Sequence, residues 1–237
     1  MTLLAPRAAE ADTGPACYSR FVNEWVCADY LRDRGDQLRD AAVEHLAITG
    51  AALVLAVLLA FPLALLARRS PRLEAAVLGL STSLYAVPSL ALLPLLVPFT
   101  GLSATTVVIG LALYSLTILV RAVLDGLRSV PAETREAAVG LGYAPARLLL
   151  RVELPLALPV MLAGLRVAAV STVALTTVGT VVSWGGLGDL ISSGVSTDFK
   201  AQLLAAAVLC VLIALALDAL VVLAQRALTP WTRGVRT

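Results

Sequence analysis

Glu136-Ala137-Ala138-Val139-Gly140-Leu141-Gly142, running on through Val152-Glu153-Leu154-Pro155, is a small, glycine-punctuated polar stretch set among long apolar runs. Its residues predict two short helices with a break between them. Ser129 can cap the first helix, and Pro131 fits its opening turn. Gly142 can take the left-handed conformation that ends it. Pro145 suits the start of the second helix, and Pro155 is expected to limit how far that one runs. The adjacent Ala137 and Ala138 leave almost no side-chain bulk on one surface, so another protein's groove could close tightly over the backbone. Arg135 and Glu136 add charge at the edge.

The flanks of that stretch set the class. Of 237 residues, 59% are hydrophobic and only 14% are charged, and the mean hydropathy is +0.89. A membrane-spanning helix needs roughly 20 apolar residues, so four to six spans fit. A net charge of +2 without a basic stripe points away from nucleic acid. One His and three Cys, with no close ligand spacing, leave no credible metal site. The chain has no glycine-rich phosphate loop ending in Lys-Ser or Lys-Thr, so it is not expected to hydrolyse ATP itself. Nor do the spans hold a His–carboxylate, Ser–His or Cys–His grouping of the kind an embedded enzyme would use.

Charge placement then fixes a topology. Residues 1–44 form a polar tail with five Arg against eight Asp and Glu, and they lack the apolar core of a cleavable signal peptide. Asp36 to Glu44 reads as a short amphipathic helix at the membrane surface. A membrane domain occupies 45–228, and 229–237 is a short tail. The expected spans are 46–67, 73–97, 103–124, 156–183 and 201–224, with the turn after the second at Pro98-Phe99-Thr100-Gly101. Arg68, Arg69, Arg72, Arg128, Arg135, Arg147, Arg151, Arg226, Arg233 and Arg236 all fall on one side, which the positive-inside rule makes cytoplasmic. The N-terminus is then outside, the C-terminus inside, and residues 184–200 form an external loop. The expected fold is an all-α membrane protein of five transmembrane helices.

The opening stretch resembles the EAA loop of bacterial ABC importer permeases: Glu-Ala-Ala, three residues, Gly, nine residues, an aliphatic, one residue, Leu-Pro. Gly142 follows Ala138 after three residues and Val152 follows Gly142 after nine, with Leu154-Pro155 in place. Within that family the chain is most similar to the osmoprotectant group, which imports glycine betaine, carnitine, choline or proline betaine. Val87-Pro88-Ser89-Leu90-Ala91-Leu92-Leu93 resembles that group's Pro-Ser-Leu-Ala segment. Leu156-Ala157-Leu158-Pro159 with Ala163-Gly164-Leu165-Arg166 and the loop Gly185-Gly186-Leu187-Gly188-Asp189 resemble it too, although methionine-importer permeases share both.

The resemblance implies a type I importer half in the cell membrane. Its implied partners are a cytoplasmic ABC ATPase dimer carrying ATP and magnesium, a second permease chain (identical or paralogous), and an extracytoplasmic binding protein. This chain itself would carry no cofactor. Nothing like a fused binding domain follows Arg226, so the binding protein is expected to be a separate chain. The alternatives are a permease for methionine or another small solute and, more distantly, a channel or membrane-embedded enzyme.

Four sets of residues are singled out. Glu136, Ala137, Ala138 and Gly142 are assigned to a coupling helix that docks in the ATPase and passes its closure to the spans, the alternative being an ordinary cytoplasmic loop. Ser83, Tyr85, Pro88 and Ser89 either line the transport pathway at a kink or mark a kink that neighbouring helices tolerate. Arg166 and Asp218 either pair across the fourth and fifth spans or snorkel to the interface. Cys17 and Cys27, on the predicted oxidising side, either form a disulfide or remain two thiols in a tail.

Overall fold

A computed structural model describes residues 17–231, and Arg233 and Arg236 lie outside them. Among the described residues the chain is helical without a strand. Its helices are α1 (Ala28–Asp33), α2 (Gly35–Ala67), α3 (Pro71–Ala86), α4 (Ser89–Thr100), α5 (Ala104–Arg128), α6 (Ala132–Gly140), α7 (Pro145–Leu148), α8 (Leu154–Thr176), α9 (Leu187–Ser196) and α10 (Lys200–Leu228). A π turn, Leu149–Glu153, joins α7 to α8, and a 3-10 turn, Thr177–Val182, extends α8.

Four helical runs are long and apolar enough to cross a bilayer: Gly35–Ala67, Ala104–Arg128, Pro145–Val182 and Lys200–Leu228. The pair α3 and α4, bent by 101°, makes a fifth if it counts as one span. The second span expected at 73–97 is therefore not one continuous helix. Val87 precedes a proline and is pushed to the extended region (φ −66°, ψ 129°). Pro88 has no N–H to continue the ladder. The Val87 carbonyl freed by the break accepts the Tyr114 hydroxyl from α5.

Three other boundaries differ. The surface helix expected at Asp36–Glu44 is the first part of α2, which runs unbroken over 33 residues. Pro155 does not stop the helix that starts at Pro145. The Leu154 N–H reaches back five residues to the Leu149 carbonyl, and this wider turn leads into the proline without ending the run. The loop expected at 184–200 contains α9.

Small residues set how closely the spans approach. Ala52, Ala56, Ala60 and Ala64 repeat every fourth position of α2, all at most 1% exposed. Most of α5 is buried, against α2, α3 and α8. Where α5 meets α8, Gly164 lies against Ala122 and Gly126 against Ala157, with no room for a Cβ at either glycine. In lipid, where apolar surface gains nothing by leaving the solvent, such close contact and interhelical hydrogen bonds drive packing. Ser115 and Thr172 bond at 2.9 Å between α5 and α8, and Thr49 and Thr176 at 2.8 Å between α2 and α8.

At the end of the bundle where α2 and α10 begin, a small cap is tied together. Cys17 and Cys27 are joined by a disulfide, and Tyr18, Tyr30 and Phe199 cluster with ring centroids 5.2–6.3 Å apart. Asn23 bridges to the turn before α10, donating to the Asp198 carbonyl (2.6 Å) and accepting from the Lys200 N–H (3.1 Å). The cap thereby holds the start of the described chain against the α9–α10 connection.

Candidate coupling site and transport pathway

The stretch from Pro131 to Leu154 is a helix, a glycine stop and a second helix fused to a span. Pro131, not Ser129, stands at the N-cap of α6, and no side chain caps it. Ser129 instead closes α5: its N–H donates to the Asp125 carbonyl at 2.9 Å and its hydroxyl to Gly126 at 2.7 Å. Val130 lies between the two and precedes a proline, so the chain leaves helical geometry there. Gly142 ends α6 at φ +79°. The Tyr143 N–H reaches the Ala138 carbonyl and the Gly142 N–H that of Val139, the paired bonds of a Schellman stop.

Ala137 and Ala138 do not share a surface. Successive residues on a helix point about 100° apart, and Ala138 is 7% exposed, turned to its own spans, while Ala137 is on the outside. The outward face also carries Glu136, Val139 and Leu141, the last 79% exposed. That face is small and apolar at its centre and charged at one edge.

What fixes α6 to the bundle is a residue that sequence reasoning treated only as a spacer. The Glu153 side chain is 3% exposed. Arg68, at the end of α2, donates to both its oxygens at 2.8 and 3.0 Å, and Arg135, on α6, donates through Nε at 2.9 Å. Arg135 also donates to the Leu127 carbonyl in the last turn of α5, a group with no intrahelical partner of its own. Two spans, α2 and α8, and α6 therefore meet at one buried carboxylate, and Arg135 ties the end of α5 to the same junction. Glu153 is the last residue of the π turn that leads into α8. A carboxylate between Val152 and Leu154 at the mouth of an apolar span was the available signal.

Of the expected pathway residues, Tyr85 lines a groove of about 620 Å³ between α3, α5 and α8, and Ser83, Pro88 and Ser89 do not line it. The Ser83 hydroxyl bonds back to Gly79 at 2.9 Å. Pro88 is the N-cap of α4, and Ser89 is that helix's first residue. Tyr85 packs edge-on against Tyr114 with centroids 5.8 Å apart. A polar seam follows the same helices. Thr117 donates to the Ser81 carbonyl at 2.6 Å, Arg121 to the Thr82 hydroxyl at 3.2 Å, and Arg128 pairs with Glu74. Arg166 and Asp218 meet side-on, Nε to Oδ1 at 2.7 Å and Nη2 to Oδ2 at 2.9 Å, joining α8 to α10.

Residues 48–234 match the model of the binding-protein-dependent transport system inner membrane component. The chain belongs to this family. It is accordingly a multi-pass inner-membrane transport permease. Among curated relatives, this permease is similar to the osmoprotectant import permease protein OsmW of Salmonella typhimurium, 35% identical over 87% of this chain and 98% of that one. It is also similar to the choline transport system permease protein OpuBB of Bacillus subtilis, at 31% over 85% and 93%, and to the carnitine transport permease protein OpuCD of Listeria monocytogenes, at 32% over 85% and 91%. A chain of the MetNI methionine ABC transporter in an inward-facing conformation superimposes with a TM-score of 0.76 over 83% of this permease and 98% of that chain. At 21% identity that likeness speaks for the type I importer fold alone.

Proposed function

We propose that this permease is the transmembrane subunit of an ATP-driven importer for a compatible solute bearing a quaternary ammonium group, such as glycine betaine, choline or carnitine. Glu136, Ala137, Gly142 and the exposed Val139 and Leu141 form the surface that enters a cleft of a cytoplasmic ATPase dimer. Ala138 is the contact that seats α6 on the spans. ATP and magnesium sit on that partner and not on this chain. A second permease chain, identical or paralogous, completes the pathway, and a separate extracytoplasmic binding protein delivers the solute. The orientation is N-terminus outside and C-terminus inside, supported by the cluster of Arg68, Arg128 and Arg135 at one end of the bundle and by a disulfide within the net acidic N-terminal segment at the other.

The observation that carries the mechanism is the convergence of Arg68 and Arg135 on Glu153. Closure of the ATPase displaces α6. The Arg135–Glu153–Arg68 bonds pass that displacement to the starts and ends of α2, α5 and α8, so the spans move as a rigid body. Alternating access requires motion of this kind. The substrate class rests on the relatives' choline, carnitine and osmoprotectant assignments together with the Pro88-Ser89-Leu90-Ala91 segment.

The test is ATP-dependent uptake of labelled glycine betaine, choline, carnitine and methionine into proteoliposomes holding this permease with the ATPase and binding protein encoded beside it. Uptake of a quaternary ammonium solute is expected. Methionine uptake alone would overturn the substrate assignment and keep the mechanism, and ATP-independent flux would overturn the mechanism.

A further inference from the structure

The groove beside Tyr85 holds two charges that the coupling mechanism does not use. Its lining includes Tyr85, Thr117, Arg121, Asp125, Ala163 and Val167. Arg121 and Asp125 stand one helical turn apart on α5, a spacing at which opposite charges normally meet. Here they do not. The Arg121 guanidinium is drawn across to Thr82 on α3, and the Asp125 carboxylate has no hydrogen bond or ion pair among the described residues. The result is a positive and a negative group held apart on one wall of a groove, next to a half-exposed tyrosine ring. Arg121 lies within the span and Asp125 in the last turn of α5, and charged groups that face a groove along a membrane helix are candidates for a solute path.

We propose that this groove is a recognition site for a zwitterionic solute on its way through the permease, an inference that rests on the substrate class proposed above. Arg121 takes the solute carboxylate, and Asp125 with the face of Tyr85 takes the quaternary ammonium, which is attracted both to a carboxylate and to an aromatic quadrupole. Thr82 keeps the guanidinium from collapsing onto Asp125, so the site stays open to a ligand carrying both charges. Glycine betaine and carnitine satisfy both groups. Choline has no carboxylate and leaves Arg121 without a ligand.

The test uses the complete importer with the binding protein saturated by each solute in turn, so that selectivity upstream does not enter. The maximal uptake rates of glycine betaine and choline are compared for the wild type, Arg121→Gln, Arg121→Lys and Thr82→Val, with membrane insertion checked by immunoblot. Arg121→Gln is expected to lower the betaine-to-choline ratio about tenfold, the order of a lost charge-assisted bond. Arg121→Lys should recover part of it. Thr82→Val, which leaves every charge in place, should shift the ratio in the same direction by less, and it carries the test if Arg121→Gln fails to insert. An unchanged ratio in inserted variants overturns the inference while leaving the substrate class standing. Wild-type uptake of neither solute overturns the substrate class and this inference with it.

Discussion

Glu153→Ala is the substitution that bears most directly on how force reaches the spans. The carboxylate accepts three hydrogen bonds from two arginines and is nearly inaccessible to water. Removing one partner of a buried pair costs about 3–5 kcal/mol, much of it from the charge left behind. Here the arginines left behind are 36% and 31% exposed. They can recover some hydration, which puts the cost near the low end, about 3 kcal/mol. That corresponds to roughly a hundredfold loss in preference for the arrangement in which α6 is tied to α2 and α8.

The outer face of α6 is untouched by the change, so docking to the ATPase should persist while its motion no longer moves the spans. The assay is the number of ATP molecules hydrolysed per solute imported in proteoliposomes. The variant should hydrolyse ATP but import far less per turnover. Glu153→Gln, which keeps the shape and one acceptor oxygen, should fall between it and the wild type. Wild-type stoichiometry in an inserted Glu153→Ala protein would refute the reasoning.

Three further outcomes follow from the geometry. Gly142→Pro should abolish uptake without preventing insertion, since proline's φ near −65° is incompatible with the observed +79°; Gly142→Ala, with open space around its Cβ, should cost only about 1–2 kcal/mol of backbone strain and reduce uptake partially. Mass-tagging of thiols in denatured protein should give one adduct per chain, at Cys210, before reduction and three afterwards; three adducts beforehand would contradict the disulfide. Exchanging the charges with Arg166→Asp and Asp218→Arg together should restore more uptake than either single reversal leaves, and a double variant no better than the singles would remove the pair's role.

The helical membrane class, the positions of the long spans and the glycine stop at 142 were legible because each depends on local sequence: apolar run length, arginine clusters and a residue suited to positive φ. The bend at Val87-Pro88 was legible as a proline in a span. Its size was not, because no local sequence pattern sets a bend of 101°, and the carbonyl it frees is satisfied by Tyr114 of another helix. The Arg68–Glu153–Arg135 junction was hidden for a similar reason. Its members are separated by 85 and 18 residues, and no local pattern brings them together. The spacing of Ala137 and Ala138 suggested a single small surface, whereas helical rotation assigns one to the bundle and one to the outside. Arg166 and Asp218 were recognised as intruding charges, but the choice between pairing and snorkelling depended on how α8 and α10 pack.

The most direct measurement of the central claim is a photo-crosslink from the outer face of α6. A benzophenone maleimide is attached at Leu141→Cys in a Cys210→Ala background, in the complete importer, with Leu102→Cys before α5 as the comparison position. Both leucines are well exposed, at 79% and 68%, and they lie at opposite ends of the bundle. Illumination should join the permease to the ATPase from Leu141→Cys, with a yield that changes when ATP is added, and should give no such product from Leu102→Cys. No permease–ATPase product from Leu141→Cys, or equal products from both positions, would contradict the assignment of α6 as the helix through which the ATPase drives this permease.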